Sequence, residues 1–584
     1  MFQIRWLWRN MDGRYRRLYI LGLAISVVST VMGLINPFVS AELVDTVIVG
    51  HNTEPMVRLL MIMLAVTVVQ QGMRYGMVMC FESSAQNVVY NLKSKLFENL
   101  QHQEMAYFDR NRTGDLMTRL SGDVDWCRHF LAYLVYVLLE CFTRFGFTLV
   151  FLLFINVKLT LALLAVAPLL LIITLVYSKH IRPLFVDLRD KMAAMNTAAQ
   201  ENIAGNKVVK AFAREEFEKD KFRVQNEAFR KANLDISKRW LSFYPGIDFL
   251  ANAMTIITIF FGAYLIMKGE LTFGGLTIFT SLSWALSSPM STLGANLNDL
   301  QRFASSANKV IEVYYARPTI INRDDAVEHP QVKGKVEFRH VDFSYGSEPV
   351  LKDISFVVQP GQTLAIMGAT GSGKTTIISL LARLYDVKQG QVLLDDCNVH
   401  LWKLDELRRS VATATQDVFL FSDTVEANIS FGDPELTDEQ IADFARRAGA
   451  AEFIEKMPEG YKTVVGERGV GLSGGQRQRV ALARAMAMQA PVLVLDDTTS
   501  ALDSETEQYI REQLPQLPYP CTKIIIAQRI SSVRRADQIL VLKDGAIAER
   551  GTHEQLLANR GYYYETYCLQ NDIPFEADER KGGE

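Results

Sequence analysis

Residues 368–375, Gly-Ala-Thr-Gly-Ser-Gly-Lys-Thr, set three glycines ahead of a lysine and a hydroxyl. Gly368, Gly371 and Gly373 leave the backbone free to turn tightly, so that successive N–H groups, with Ser372 between them, converge on an anion. At this spacing Lys374 would reach the β- and γ-phosphates of a nucleotide and the Thr375 hydroxyl would ligate Mg²⁺, with Thr376 next to it. A metal there needs a carboxylate. Residues 492–496, Val-Leu-Val-Leu-Asp, read as a buried strand ending in Asp496, and a second carboxylate, Asp497, follows at once. The implied chemistry is the binding and cleavage of a phosphoanhydride.

Such groups need a frame. Thr363-Leu-Ala-Ile-Met367 reads as a strand that delivers the glycine loop, and a helix is expected after Lys374. From Lys335 onward short β-branched runs alternate with helical stretches, which predicts an α/β domain over 335–570. Arg317-Pro318 and the polar run through Pro330 mark a linker at 317–334, and the acidic tail at 571–584 reads as solvated.

The 584 residues are 49% hydrophobic and 22% charged, which excludes a disordered or low-complexity chain. Six scattered cysteines form no CxxC pair, so no disulfide framework or zinc ribbon is indicated. A net charge of −3 gives no reason to expect a nucleic-acid partner. That average hides a split: residues 1–320 carry 33 Lys+Arg against 25 Asp+Glu, and the remainder 29 against 40.

The basic half also holds six apolar stretches, at 18–39, 59–79, 131–155, 159–176, 249–267 and 273–293. Each is near the ~20 residues that cross a bilayer as a helix, so a transmembrane domain is expected over 1–316. The fourth is the shortest and the sixth, with five serines and Pro289, the least apolar. Arginines and lysines concentrate in the N-terminal arm and in the long segments after spans two and four, which predicts cytoplasmic termini and cytoplasmic long loops. The arm itself, with four aromatics and five arginines in its first 17 residues, reads as an interfacial helix rather than a secretory signal. Within the spans, Gln70, Gln71, Arg74, Glu140 and Arg144 stand out as polar. They read either as the wall of a substrate cavity or as pairs between helices, Glu140 and Arg144 being spaced for an i, i+4 ion pair.

A further run decides between general phosphate binders. Gly471-Leu-Ser-Gly-Gly-Gln-Arg-Gln-Arg479 resembles the signature motif of ATP-binding-cassette (ABC) proteins, and it precedes the Asp496 strand as in that family. In the same order Tyr345 resembles the adenine-stacking aromatic, Gln416 the Q-loop glutamine that also approaches the metal, and 500–503 the D-loop. Residues 465–469 are similar to a segment that touches the membrane domains of exporters; 108–116 and 214–218 resemble the first and second coupling helices. The chain thus resembles a multidrug-type ABC half-transporter: an α-helical six-span transmembrane domain followed by an α/β nucleotide-binding domain. The resemblance implies ATP and Mg²⁺, a bilayer, a small-molecule or amphiphilic substrate, and a second half-transporter subunit. In such a pair Ser473, Gly474, Gly475 and Gln476 act on ATP held by the partner. It also implies a bacterial cell membrane.

Two positions depart from the family pattern. Asp497 stands where a glutamate usually serves as the catalytic base, and Gln528 where a histidine usually precedes Arg529. Together they suggest a site that holds ATP and hydrolyses it poorly, as in the degenerate half of a heterodimeric exporter. A slow homodimer, a lipid flippase, a peptide exporter and a nucleotide-gated regulatory or channel subunit are the alternatives on the same scaffold.

Overall fold

The computed structural model describes residues 2–329, 331–466, 469, 471–498 and 502–573. They form two compact units, one of residues 1–101 with 113–316 and one of 102–112 with 317–584.

The first unit is helical: α1 (Phe2–Arg9), α2 (Gly13–Met32), α3 (Ile35–Leu43), α4 (Met56–Gln101), α6 (Thr113–Thr118), α7 (Val124–His129), α8 (Val135–Ile155), α9 (Val157–Leu164), α10 (Ala167–Ala204), α11 (Asn206–Ala211), α12 (Glu215–Met267) and α13 (Phe273–Tyr314). Helix α5 (Met105–Arg110) belongs to the second unit. Among the described residues, the helical stretches Gly13–Val49, Met56–Gln101, Thr113–Ile155 and Glu215–Met267 are long and apolar enough to cross a membrane. The remaining two expected spans are helical as well. The fourth is broken by a turn at Ala165 and Val166, and the serines of α13 lower the hydropathy of the sixth. Helix α12, with 53 residues, is ~80 Å long at ~1.5 Å per residue, far beyond the ~30 Å of hydrocarbon, so it must project well past the bilayer.

Leu34, Leu152, Leu159, Leu163, Phe279 and Leu286 form a buried apolar core between these helices. The N-terminal arm is anchored by Trp6, which is buried and meets the Tyr314 ring edge-on at 5.3 Å. Glu140 and Arg144 do pair, and the Arg144 guanidinium also lies 5.1 Å from the Trp284 ring. The short helices of the two long loops, however, are displaced from the expected positions. The first is α5, which ends at the extended residue Asn111 instead of running on to 116. The second is α11: Gly205 ends α10, and a left-handed turn at Ala213 follows. Residues 215–218 therefore open the long helix α12.

The second unit is built on two sheets. Strands β1 (Val336–Phe343), β2 (Leu351–Val358), β4 (Gln389–Leu394) and β5 (Cys397–Asn398) pair antiparallel in the order β2-β1-β4-β5. The larger sheet has the order β10-β9-β3-β8-β7-β6, from β3 (Thr363–Gly368), β6 (Val411–Ala414), β7 (Val492–Asp496), β8 (Thr522–Ile526), β9 (Gln538–Lys543) and β10 (Ala546–Gly551). All its pairings are parallel except β10 with β9. Helix α14 (Lys374–Leu381) follows β3, and its Ile377, Leu380 and Leu381 pack with Phe338, Phe356, Ile366 and Val494 between the sheets. The helices α15 (Leu404–Arg409), α16 (Val425–Ile429), α17 (Asp438–Arg447), α18 (Ala451–Glu455), α19 (Gly474–Ala487), α20 (Ser504–Gln513), α21 (Ile530–Val533), α22 (His553–Asn559) and α23 (Tyr562–Gln570) complete it.

One half-buried arginine ties α19 to the segment after β6. Arg484 donates from Nε to the Asn428 carbonyl at 2.7 Å, from Nη1 to the Phe419 carbonyl at 2.9 Å, and from Nη2 to Asn428 Oδ1 at 2.7 Å. Burial pulls its guanidinium down to about 10. A lysine cannot reproduce this planar fork. Arg484→Lys is expected to strand the Asn428 acceptors at ~1–3 kcal/mol each and lower the melting temperature of the purified protein, read by thermal unfolding with and without nucleotide.

Candidate nucleotide-binding site

The glycine loop is held between β3 and α14, and its shape depends on missing side chains. Gly373 sits at φ +97°, where a Cβ would come within 2.5 Å of Leu351 Cδ2. At Gly368 a Cβ would lie 2.3 Å from the Leu542 carbonyl. Lys374, 8% exposed, folds back so that Nζ donates to the Gly368 and Ala369 carbonyls at 2.9 and 2.8 Å. Burial pulls its ammonium below the usual lysine range, while Asp496 and Asp497 oppose that shift. The Ser372 hydroxyl is buried with no hydrogen-bond partner in the structure, which leaves a donor aimed at no protein group inside the loop.

Across from the loop, β7 brings up the carboxylates. Asp496 is 2% exposed, and its Oδ2 accepts from the Thr375 hydroxyl at 2.9 Å. Burial raises its carboxyl above the usual range, the Thr375 hydrogen bond lowers it, and the neighbouring Asp497 raises it again. Asp497 takes a left-handed backbone, φ +48°, and its N–H donates to the Ile526 carbonyl at 2.9 Å. Aspartate tolerates this conformation better than most residues. Ile526 ends β8, and two residues on lies Gln528.

These groups share one cavity of about 320 Å³, lined by Tyr345, Val350, Thr370, Gly371, Gly373, Lys374, Thr375, Thr376, Gln416, Asp496, Asp497, Ile526 and Gln528. At its rim Tyr345 is 54% exposed; its hydroxyl is 3.2 Å from Thr376 Oγ1, and its ring meets Phe343 and Tyr385 edge-on. Tyr385 in turn donates to Asp109 Oδ2 of α5 at 2.6 Å, and burial with that carboxylate pushes its phenol upward. The signature residues lie elsewhere. Ser473 caps α19 through a reciprocal pair with Gln476, at 3.3 and 2.8 Å, and Gly474 and Gly475 form the first turn of that helix. None of the four lines the cavity. Ser500 and Ala501 of the expected D-loop, and Glu467 and Arg468 of the 465–469 segment, lie outside the described residues, whereas Asp503 caps α20 by accepting from the Thr506 N–H at 2.9 Å.

In the membrane unit, Gln70 donates to the Ser29 carbonyl at 3.4 Å, while Gln71 and Arg74 are exposed. Glu140 and Arg144 are half-buried in their pair.

Supporting residues that carry no local sequence signal also converge here. Gln570 in α23 donates to the Gln528 carbonyl at 2.8 Å and accepts from the Ile530 N–H at 2.8 Å, clamping the Gln528 segment from both sides. Buried Glu507 accepts from Arg511, Arg529 and Ser532 at 2.6, 3.3 and 2.5 Å, fixing the same segment from α20. Gln570→Ala removes both bonds of the clamp, at ~1 kcal/mol each. The expected result is a few-fold fall in ATP turnover with a smaller change in nucleotide binding, measured by steady-state hydrolysis and equilibrium nucleotide titration; equal losses in both would contradict a positioning role.

With this geometry in hand, comparisons place the chain. Residues 19–290 match the ABC transporter transmembrane region family, and residues 351–500 the ABC transporter family. An uncharacterized ABC transporter ATP-binding protein of Bacillus subtilis, YknU, is 34% identical over 95% of both chains. An ATP-dependent lipid A-core flippase of Syntrophus aciditrophicus is 35% identical over 91% of this chain and 89% of that one. A putative multidrug export ATP-binding/permease protein of B. subtilis, YgaD, is 31% identical over 95% and 97%. In fold, the chain resembles a bacterial Atm1-family ABC exporter solved with ATP bound, with a TM-score of 0.80 over 97% of this chain and all of that one, at 24% identity. A membrane-integral helical domain fused ahead of one ATP-binding α/β domain, with these relatives along nearly its whole length, makes the chain a member of the ABC transporter family, a half-transporter of the exporter type that couples transport to ATP hydrolysis.

Proposed function

We propose that this chain is the slow-site subunit of a heterodimeric exporter that moves amphiphilic small molecules out of the cytoplasm or inner leaflet by alternating access. The observation that carries the reading is the pairing of Asp497 with Gln528 in one cavity whose binding groups are otherwise complete.

In this reading Tyr345 stacks on the adenine, the loop amides from Gly368 to Thr376 with the free Ser372 hydroxyl hold the phosphates, and Lys374 turns from the loop carbonyls to neutralise them. The Thr375 hydroxyl and Asp496 carboxylate, 2.9 Å apart, with the Gln416 amide oxygen nearby, are a set of hard oxygen donors that suits Mg²⁺. Bound there, the ion would offset charge on the phosphate oxygens. Asp497 would orient and deprotonate the attacking water, but its carboxylate is one methylene shorter than glutamate. A misplacement of about 1 Å can cost ~100-fold in rate. Gln528 can donate a hydrogen bond to the terminal phosphate without offering an imidazole. The signature residues Ser473, Gly474, Gly475 and Gln476, which stand apart from this chain's own cavity, would complete a hydrolytically competent site on a partner chain. ATP-bound closure of the two domains would favour one access state of the membrane unit, and hydrolysis at the competent site would reset it.

Relatives described as lipid A-core flippases and a putative multidrug exporter support an amphiphilic cargo. In the membrane unit, Gln70, Gln71, Arg74, Glu140 and Arg144 would form the polar part of its cavity. Charged residues inside spans are costly unless a partner or a ligand uses them.

The subunit composition tests this directly. Complexes released from native membranes in mild detergent should weigh, by intact-mass spectrometry, as this chain plus a different subunit; two copies of this chain would overturn the asymmetric design. The chemistry has its own test. Asp497→Glu with Gln528→His is expected to raise single-turnover hydrolysis at this chain's own site by roughly 10–100-fold, leaving nucleotide affinity within about threefold. An unchanged rate would mean that these two residues are not what limits it.

A further inference from the structure

A second cavity, of about 700 Å³, lies where the start of α2 meets the middle of α4, and Arg14, Tyr15, Arg17, Leu18, Leu21 and Ser83 line it. Arg14 and Arg17 stand one turn apart on the same exposed face, and neither side chain makes a hydrogen bond or ion pair among the described residues. Their neighbour Arg16, by contrast, is spent on the Met11 and Arg9 carbonyls at 2.7 and 3.0 Å. Nearby carboxylates are engaged elsewhere. Asp12 accepts from Asn87 and Asn91 at 2.7 and 3.3 Å, and Glu82 accepts from Gln86 at 2.7 Å and pairs with Arg128 at 3.2 Å. The cavity therefore presents two arginines that no carboxylate among the described residues pairs directly.

Its other wall is apolar. Leu18 and Leu21 continue the same face one to two turns further along α2, the direction in which that helix enters its membrane-spanning part. Cations at the headgroup level with hydrocarbon-lined space immediately beyond them match one chemistry: a phosphodiester with attached acyl chains. A free phosphate would leave the leucine wall exposed. The arginine-rich arm puts this end of α2 on the cytoplasmic side.

We propose that this cavity is a resident site for an anionic phospholipid of the cytoplasmic leaflet. Arg14 and Arg17 hold its phosphodiester with forked guanidinium contacts, the Ser83 hydroxyl donates to a headgroup oxygen, and an acyl chain runs along Leu18 and Leu21. The site is separate from the nucleotide cavity and from the polar residues proposed to face cargo, so it would couple the surrounding lipid to the arm and the first span.

Native mass spectrometry of the full-length chain in mild detergent, titrated with phosphatidylglycerol or phosphatidylcholine, tests it. One phosphatidylglycerol per chain should be retained in preference to phosphatidylcholine, and Arg14→Gln/Arg17→Gln should weaken that retention roughly 30-fold. Arg14→Lys/Arg17→Lys should fall between the two, and the charge-matched control Arg5→Gln/Arg9→Gln should bind as the natural chain does. Unchanged retention in Arg14→Gln/Arg17→Gln would overturn the site. So would an equal loss in the Arg5→Gln/Arg9→Gln control, which would reveal diffuse surface charge. Displacement of the adduct by millimolar inorganic phosphate would overturn the lipid assignment in favour of a simple anion.

Discussion

The parallel pairing of β3 with β8 and β9 is the constraint on which the nucleotide site rests. β3 is buried on both faces and ends where the glycine loop begins, so any shift in its register would move the loop and Lys374 with it. β8 pairs on its other side with β7, which sets Asp496 at the height of Thr375. The same β8 ends at Ile526, whose carbonyl receives the Asp497 N–H and whose chain continues into Gln528. Three neighbouring strand ends therefore bring the glycine loop, the carboxylates of Asp496 and Asp497, and the Gln528 segment to one place. This is the usual advantage of binding at the carboxyl ends of a parallel sheet.

Placing two carboxylates and one lysine in a shared, largely buried space sets up an electrostatic tension without ligand. Burial opposes the charge on both Lys374 and Asp496, and each partly relieves the other. Lys374 answers by donating to loop carbonyls and Asp496 by accepting from Thr375. A bound polyanion with a divalent cation would exchange these internal bonds for stronger charge-assisted ones. Around it, buried Glu507 with its three donors and Gln570 with its two bonds hold the Gln528 segment, so this segment is positioned by packing as much as by sequence neighbours.

The helical unit obeys a different solvent. Its helices satisfy their own backbone hydrogen bonds, as a chain in hydrocarbon must, and leave large apolar side chains such as Phe142, Phe154 and Phe260 exposed on the outside. The charged groups that remain within the spans are few, and part of them, Glu140 with Arg144, is neutralised by a local pair. Arg74 is exposed and stays in a class that lipid alone does not accommodate well.

Features set by short-range geometry were legible in the sequence. The strand at Thr363–Gly368, the loop that needs glycine at 368 and 373, the buried strand ending in Asp496, and the apolar spans each follow from a local pattern of residue size and polarity. So does the i, i+4 pair of Glu140 with Arg144. The positions of the short loop helices were less legible, because α5 and α11 are delimited by single backbone events at Asn111, Gly205 and Ala213 that leave little mark on composition. Other features had no local signal at all: the Gln570 clamp spans 42 residues, Arg484 reaches 56 residues to Asn428, and Tyr385 reaches 276 residues to Asp109. The free pair Arg14 and Arg17 looked like any other arginines of a basic arm until the fold assigned Asp12 and Glu82 to other partners. Sequence by itself determined which groups could do chemistry, since residue type and near-neighbour spacing set local conformation. Only the tertiary structure decided which of them are held, paired or left free, because that depends on contacts between segments far apart in the chain.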